Sequence, residues 1–315
     1  MRKHKLLVED AGRCWNEAEY ALLDFGDGRK LEKFGRWILD RPCPAAIHEN
    51  RASLDQWKSA MVVVAREGQV IQGGIFDEAW NITFSTIKLS LNLTPFGHIG
   101  VFPEQATNWL WIDAQLRQAM AATHRPLESG AGGETSYPPQ PPQILNLFGY
   151  TGGMTLVCAA SGCRVTHVDA SAPTVAWARR NAELSGLAEA PIRWIVDDVR
   201  KFVGREMRRG NKYHAIVLDP PSYGHGTSGK SWEIQRDLPD LMRACAQLLN
   251  DSWSLIVLSC HSEHFGCNEL SDLLVDSLEL DSEFVPEATR MTIHDSHHRA
   301  LDMGAVVRAH VLQIV

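Results

Sequence analysis

The sequence predicts an α/β protein: a doubly wound, Rossmann-like sheet in its second half, with a smaller and mostly β N-terminal domain before it. Three observations carry this. Residues 144–156 read as an apolar strand, a glycine turn and a helix of small residues, the unit with which α/β folds bring backbone close to a ligand. Four more apolar runs follow, each ended by acidic or polar residues. A Pro/Gly/Ser-rich stretch at 126–142 separates this half from a region of short strand candidates, as a linker or long loop would. The expected organisation is therefore an N-terminal β-rich domain at 1–125, a linker at 126–142 and the doubly wound domain at 143–315.

In the N-terminal region, residues 20–25, 34–39, 61–65 and 70–76 read as strands. Gly26-Asp27-Gly28 and Glu67-Gly68 supply turn signals between strand candidates. Residues 82–93 form another strand candidate, and 109–122 a helix leading into the linker. Trp15, Trp37, Trp57 and Trp80 lie here. They could stack on bases, though tryptophans in a small β module are more often core or interface residues.

In the second half, 144–148 is the first strand, and Gly149, Gly152 and Gly153 form the turn. Their bare backbone suits a position where a Cβ would collide with a ligand. The spacing is not Gly-x-Gly-x-x-Gly, so the dinucleotide pattern is not met. Residues 164–169 are a second strand ending in Asp169, where a carboxylate typically accepts hydrogen bonds from ribose hydroxyls. A helix at 172–185 follows, with Gly186 as its C-cap glycine. The third strand, 192–196, ends in Asp197 and Asp198. The fourth, 215–218, ends in Asp219-Pro220-Pro221-Ser222-Tyr223. The fifth, 254–258, ends in Ser259-Cys260-His261. One acid at a strand end is usually a solvated loop residue or a helix cap. Recurrence at corresponding ends makes a ligand-lined edge.

The series Asn146-Leu147-Phe148-Gly149-Tyr150-Thr151-Gly152-Gly153, His167-Val168-Asp169-Ala170-Ser171, Val196-Asp197-Asp198-Val199 and Leu218-Asp219-Pro220-Pro221-Ser222-Tyr223 resembles the class I S-adenosylmethionine-dependent methyltransferases. More narrowly it is similar to the 23S rRNA large-subunit group, which includes cytosine-C5 and guanine-N7 enzymes. The resemblance covers roughly residues 95–315. The segment 96–109, Phe-Gly-His-Ile-Gly-Val-Phe-Pro-Glu-Gln-Ala-Thr-Asn-Trp, supports the narrower group, where Gln and Asn at the positions of Gln105 and Asn108 run over the cofactor pocket. Pro103-Glu104 replaces the usual Leu-Asp.

The resemblance implies a Rossmann-like methyltransferase sheet and S-adenosyl-L-methionine as cofactor. Asp169 would take the ribose diol, with Ala170 and Ser171 beside it. Asp198 would lie near the adenine, with Asp197 as the neighbouring choice and Val199 next to it. Backbone at Gly149 to Gly152, flanked by Asn146, Phe148, Tyr150 and Thr151, would approach the methionine portion. Asp219 and Pro220 would lie beside the transferring methyl. The resemblance also implies an RNA substrate, with the N-terminal module helping to grip it.

Composition is that of a soluble globular protein, with 44% hydrophobic and 22% charged residues. The apolar runs are strand-sized and too short for a membrane span. The N-terminus lacks a signal-peptide apolar region, so a cytoplasmic location is the expectation. Seven cysteines with no Cys-x-x-Cys pair fit reduced thiols. Cys260, His261, His264 and Cys267, and separately His294, His297 and His298, cluster in sequence without a recognised zinc spacing, and no metal is expected. The net charge of −7 is opposite to that of a basic RNA-binding surface. Arg200, Lys201, Arg205, Arg208, Arg209 and Lys212 fall in one helix and its exit, which reads first as a solvated helix face.

For the reaction, methylation of cytosine C5 needs a thiolate that adds to C6. Cys260 stands at the ligand edge in a setting like the Ser-Cys-Ser of the cytosine-C5 enzymes, with Asp219 across from it. His261 departs from that pattern and could lower the thiol pKa or fill space; Cys260 could equally be a small residue ending a strand. Enzymes acting on exocyclic amines favour an aromatic directly after Pro-Pro, a place held here by Ser222, with Tyr223 one later. Guanine N7 needs only positioning and stays as an alternative. Pro221, Ser222, Tyr223 and Lys230, the last in a polar glycine-rich loop, are the expected substrate contacts. A small-molecule methyltransferase and a non-catalytic cofactor-binding protein are the other readings.

Overall fold

A computed structural model of the chain describes residues 7–65, 69–73, 80–94, 97–123, 140–225, 231–262, 264–281 and 283–311. After β1 (Leu7–Asp10), the strands β2 (Tyr20–Gly26), β3 (Arg29–Phe34) and β4 (Trp37–Pro42) lead through a one-turn helix α1 (Leu54–Trp57) to β5 (Val62–Val64) and β6 (Val70–Gln72). β7 (Asn81–Phe84) and β8 (Ile87–Ser90) pair as a hairpin, and α2 (Ala106–Thr123) follows. The second half runs β9 (Gln143–Leu147), α3 (Gly153–Ala160), β10 (Arg164–Asp169), α4 (Ala172–Leu184), β11 (Ile192–Val196), α5 (Val199–Arg209) and β12 (Ala215–Leu218). It ends with the hairpin β13 (Tyr223–His225) and β14 (Ser231–Glu233), then α6 (Ile234–Ala246), β15 (Ser254–Cys260), α7 (Cys267–Ser277), β16 (Glu287–His294) and β17 (Ala300–Val311).

Two sheets dominate. β2 to β6 form one of five strands in chain order, and an eight-stranded sheet has the order β1-β16-β17-β15-β12-β9-β10-β11. In the large sheet only β17 runs against its neighbours. Strand order reverses between β9 and β12, which is where α/β sheets open a crevice for a ligand. The register sets Leu147 opposite Leu218, so Phe148 and Asp219 leave the sheet side by side.

Alternation along the strands feeds two apolar layers. Ile144 joins the layer with Leu156, Val157 and Ile112, whereas Leu145 and Leu147 join the one with Phe202, Leu238 and Leu258. Helix ends are fixed locally. Ser171 caps α4 by accepting from Thr174 N, and Asp198 caps α5 by accepting from Arg200 N and Lys201 N. Gly210 ends α5 in the left-handed conformation, φ 68°.

The predicted strand at 34–39 is instead the end of β3, a turn and the start of β4. Gly35 at φ +60° makes that turn, and an apolar run alone does not reveal it. The candidate at 82–93 is the β7–β8 hairpin, turning at Ser85, φ 52°. β1, expected in the N-terminal domain, pairs parallel with β16 in the large sheet. Within the predicted linker, residues 126–139 lie outside the described residues, as do 74–76 of the fourth strand candidate. Trp15, Trp57 and Trp80 are buried, which leaves none of these three free to stack on bases, and Trp37 is half-buried against the core that holds Trp15 and Trp80. Trp15 meets Tyr20, Phe84 and Trp109 edge-on and donates from its indole to Pro103 O at 3.1 Å. It thereby ties the N-terminal strands to the segment preceding α2.

Arg308 of β17 is the largest fully buried side chain. Its guanidinium donates to Glu9 of β1 at 2.8 and 2.7 Å, to Glu287 of β16 at 2.8 Å and to Asn108 Oδ1 in α2 at 3.0 and 2.7 Å. Four elements thus share one cation. Removing it strands Asn108 Oδ1 and two carboxylates that had been neutralised. Arg308→Ala is expected to lower unfolding free energy by about 3 kcal/mol, read as a shifted midpoint in urea. A midpoint within error of wild type would show that the network contributes nothing.

Candidate active site

A cavity of about 380 Å³ opens at the carboxyl ends of the central strands. Asp169, Ala170, Asp198, Val199, Asp219 and Pro220 line it, together with Phe148 and Tyr150. A recess of about 50 Å³ shares Phe148, Tyr150 and Asp219 and adds Gln105, Asn146, Gly149, Thr151 and Ser259. Pro221 lines the larger cavity. Of the remaining expected residues, Gly152 starts α3 with φ 91° and Ser171 caps α4. Ser222 is half-buried and Tyr223 exposed, and neither belongs to either lining. Lys230 lies outside the described residues.

The turn after β9 is held from several sides. Phe148 and Tyr150 both have positive φ, 57° and 49°, a conformation that costs energy and tends to persist where surrounding contacts enforce it. Those contacts are visible. Gly149 N donates to Val168 O at 3.0 Å, Thr151 Oγ1 to Gly100 O at 2.6 Å and Asn181 Nδ2 to Thr151 O at 2.9 Å. The Cβ positions of Gly149 and Gly153 point at protein. A Cβ on Gly149 would meet the His167 ring at 2.5 Å, and one on Gly153 would meet Trp109 at 2.5 Å. The expected ligand contact is therefore not why these two positions exclude a side chain; close packing on β10 and α2 is. His167 is buried and its pKa is pushed down to about 3 by burial, so it stays neutral, within 2.9 Å of Thr155 Oγ1, which accepts from Asn146 Nδ2 at 2.8 Å.

Asp169 Oδ2 accepts from Tyr150 N at 3.0 Å, and Oδ1 from Ser171 N at 2.9 Å. Burial pushes its carboxyl upward, against those two backbone donors. Each oxygen keeps a lone pair, a pattern that suits two adjacent hydroxyls. Asp198 is buried and engaged by its α5 cap bonds and by Arg200, at 3.2 and 2.7 Å. Burial acts to raise its pKa, but the Arg200 bonds hold it below the ordinary value. Asp197 pairs with Arg205, accepts from Asp198 N, and is not among the lining residues.

Asp219 has the densest surroundings. Ser259 Oγ donates to its Oδ1 at 2.6 Å and Gln105 Nε2 to its Oδ2 at 3.0 Å. His261 Nε2 stands 3.4 Å from Oδ1. Burial would raise this carboxyl, but the His261 charge and these hydrogen bonds hold it below its usual range. Gln105 is itself fixed by Asn108 Nδ2 at 2.6 Å, and Asn108 by Arg308. Asn108 therefore lies behind the cavity, with no part in its lining.

Cys260 is fully buried, with its side chain in the apolar layer of Cys267, Leu270 and Leu274. β15 continues through Cys260, and strand alternation turns Ser259 and Cys260 to opposite faces. The thiol pKa is pushed up to about 11, mainly by burial, which disfavours the thiolate. The arrangement is that of a packing residue and not of a cavity-facing nucleophile. All seven cysteines are free. Among the described residues no group of His, Cys, Asp or Glu is arranged to hold a metal, and no helix is long and apolar enough to cross a membrane.

The structure adds residues that the sequence reading left out of the site. His98, Phe102, Trp232 and His261 line the cavity, and Arg41 of β4 supports the first of these by donating to Gly97 O at 3.0 Å. Ser259 had a usable signal, since period-two alternation sets it opposite Cys260. His98 lies in the singled-out segment 96–109, whereas Trp232 had no signal, because the β13–β14 hairpin that carries it was not read from the sequence.

No protein-family model matches the chain. A stretch of 119 residues is 36% identical to ribosomal RNA large subunit methyltransferase I of Klebsiella pneumoniae, covering 38% of this chain and 30% of that protein. The same protein of Salmonella arizonae is 34% identical over 119 residues, 38% of this chain and 29% of its own length. The chain thus spans less than a third of the length of these curated relatives. The solved SAM-dependent methyltransferase of Agrobacterium tumefaciens is 29% identical, with TM-score 0.82 over 97% of this chain and 93% of that one. SMU.776, assigned as a methyltransferase and solved with SAH, is 16% identical, with TM-score 0.66 over 93% of this chain and 76% of its own, and shares the fold. The fold is the one found in these solved S-adenosylmethionine-dependent methyltransferases.

Gly149→Ala drives a methyl group into the His167 ring. The expected loss is about 1–3 kcal/mol of unfolding free energy, measured in urea. An unchanged midpoint would mean that the ring yields without cost.

Proposed function

We propose that this chain is an S-adenosylmethionine-dependent methyltransferase that methylates a base of RNA, ribosomal RNA being the class indicated by the relatives' names. The observation that carries the reading is the convergence of Asp169 and Asp219 on one cavity at the strand-order reversal. The residues fit the cofactor. Asp169 offers acceptors for a ribose diol, Asp198 lines the same cavity for an exocyclic amine, and Ala170, Val199 and Pro220 supply apolar wall for an adenine. When bound, the cofactor supplies an already activated methyl group. The chain's own task is alignment and exclusion of water. Asp219, kept ionised, accepts from a substrate N–H and orients the base. Phe102 and His98 line the cavity from the N-terminal side and pack on Tyr150.

The burial of Cys260 favours direct transfer, as at guanine N7, over the covalent route to cytosine C5. The basic helix supplies little free positive charge, since Arg200, Arg205, Arg209 and Lys212 pair with acids of this chain. RNA contact is therefore assigned to the region around Pro221 to Tyr223.

Tritiated methyl transfer should label total RNA from a strain lacking this protein, with small-molecule extracts as control. Label confined to small molecules would reject the RNA substrate. Cys260→Ala is expected to keep turnover within about threefold of wild type, as for a residue outside the reacting centre. A 5-fluorocytosine RNA should leave no denaturation-resistant adduct. An adduct, or loss of turnover by a hundredfold or more in Cys260→Ala, would restore the covalent cytosine-C5 route.

A further inference from the structure

Glu104, His261 and Asp219 form a charged group at the cavity. His261 follows β15 and lines the cavity. Its Nδ1 donates to Met303 O at 2.7 Å, and its Nε2 faces Asp219 Oδ1 at 3.4 Å. The Met303 carbonyl can only accept, so Nδ1 carries a proton, and a proton on Nε2 would complete an ion pair with Asp219. Glu104 is buried, 1% exposed, with Oε1 3.9 Å from Nδ1 and Oε2 without a hydrogen-bond partner. Acids face the ring from two elements, Asp219 after β12 and Glu104 before α2, and His98 after β8 faces it with its own pKa lowered, mainly by burial. Phe102 packs on the His261 ring at 5.9 Å.

A carboxylate has about four acceptor positions. On Asp219, Ser259 donates to Oδ1 and Gln105 to Oδ2, and His261 Nε2 faces Oδ1 at 3.4 Å as its ion-pair partner. We propose that His261 is a positioning residue of the methyl-transfer site: its imidazolium clamps Asp219 so that a single acceptor position, on Oδ2, is left for an amine or amide N–H of the substrate base. This rests on the methyltransferase reading above. Burial alone would lower the His261 pKa, but Asp219 and Glu104 raise it to about 9. The clamp is therefore intact at neutral pH and is lost as pH rises through about 9. Deprotonation at Nε2 then sets a lone pair against Oδ1 and releases the carboxylate.

The test uses the full chain. Histidine-labelled NMR should show a His261 signal, assigned by its absence in His261→Gln, titrating near pH 9 and moving to lower pH in Asp219→Asn. Titration at or below the ordinary value of about 6.5 would overturn the clamp. With total RNA and tritiated cofactor, wild-type turnover should fall above about pH 9. His261→Gln, which donates without a charge, should keep turnover within about tenfold and lose that alkaline limb. His261→Ala should lose more than about tenfold in turnover, with S-adenosylhomocysteine affinity changed less than about threefold. An alkaline limb unchanged in His261→Gln, or wild-type turnover in His261→Ala, would reject the positioning role. A wild-type protein that binds S-adenosylhomocysteine and shows the titration, yet labels no RNA, would reject the RNA substrate and leave the clamp standing.

Discussion

The buried guanidinium of Arg308 is the interaction on which the site depends. It neutralises Glu9 and Glu287 at one end and fixes Asn108 at the other. Asn108 sets Gln105, and Gln105 sets Asp219. A cation buried among strands β1, β16 and β17 therefore decides, through two side chains, where the carboxylate in the cavity stands. Burying a charge is tolerated only when its donors are satisfied, and here every partner belongs to a different element. The N-terminal strand, the last two strands and α2 must all be in place before Asp219 is.

The same logic explains the strained turn after β9. Two non-glycine residues with positive φ are held by donors from α4, by the Gly100 carbonyl and by the packing of Gly149 on His167. The β7–β8 hairpin contributes through Ser90, which bonds Asn181 at 2.9 and 2.7 Å and accepts from Trp177 Nε1 at 3.0 Å through its carbonyl. The N-terminal region thus shapes the cavity from outside the doubly wound sheet.

How much of this was legible in the sequence depended on range. The strands from β9 to β12 and the helices between them followed from local patterns: apolar runs, caps and a glycine at each stop. Asp169, Asp198 and Asp219 were legible because each ends a strand. The turn at Gly35 and the β7–β8 hairpin were not, because an apolar run carries no mark of where it folds back. β1 was invisible as a member of the large sheet, since its pairing with β16 joins residues such as Leu7 and Thr289 from opposite ends of the chain. The placement of Cys260 was not legible, because only the run of β15 through Cys260 sets its side chain on the face opposite Ser259.

The central claim is that the cavity takes an adenosyl cofactor through Asp169. Calorimetric titration with S-adenosylhomocysteine, with NADH as the rival ligand, tests it most directly. The account predicts one site per chain for S-adenosylhomocysteine, none for NADH, and affinity weakened at least about tenfold in Asp169→Ala, as expected for hydrogen bonds to a charged group. Undiminished affinity in Asp169→Ala, or absence of binding to the wild-type protein, would contradict it.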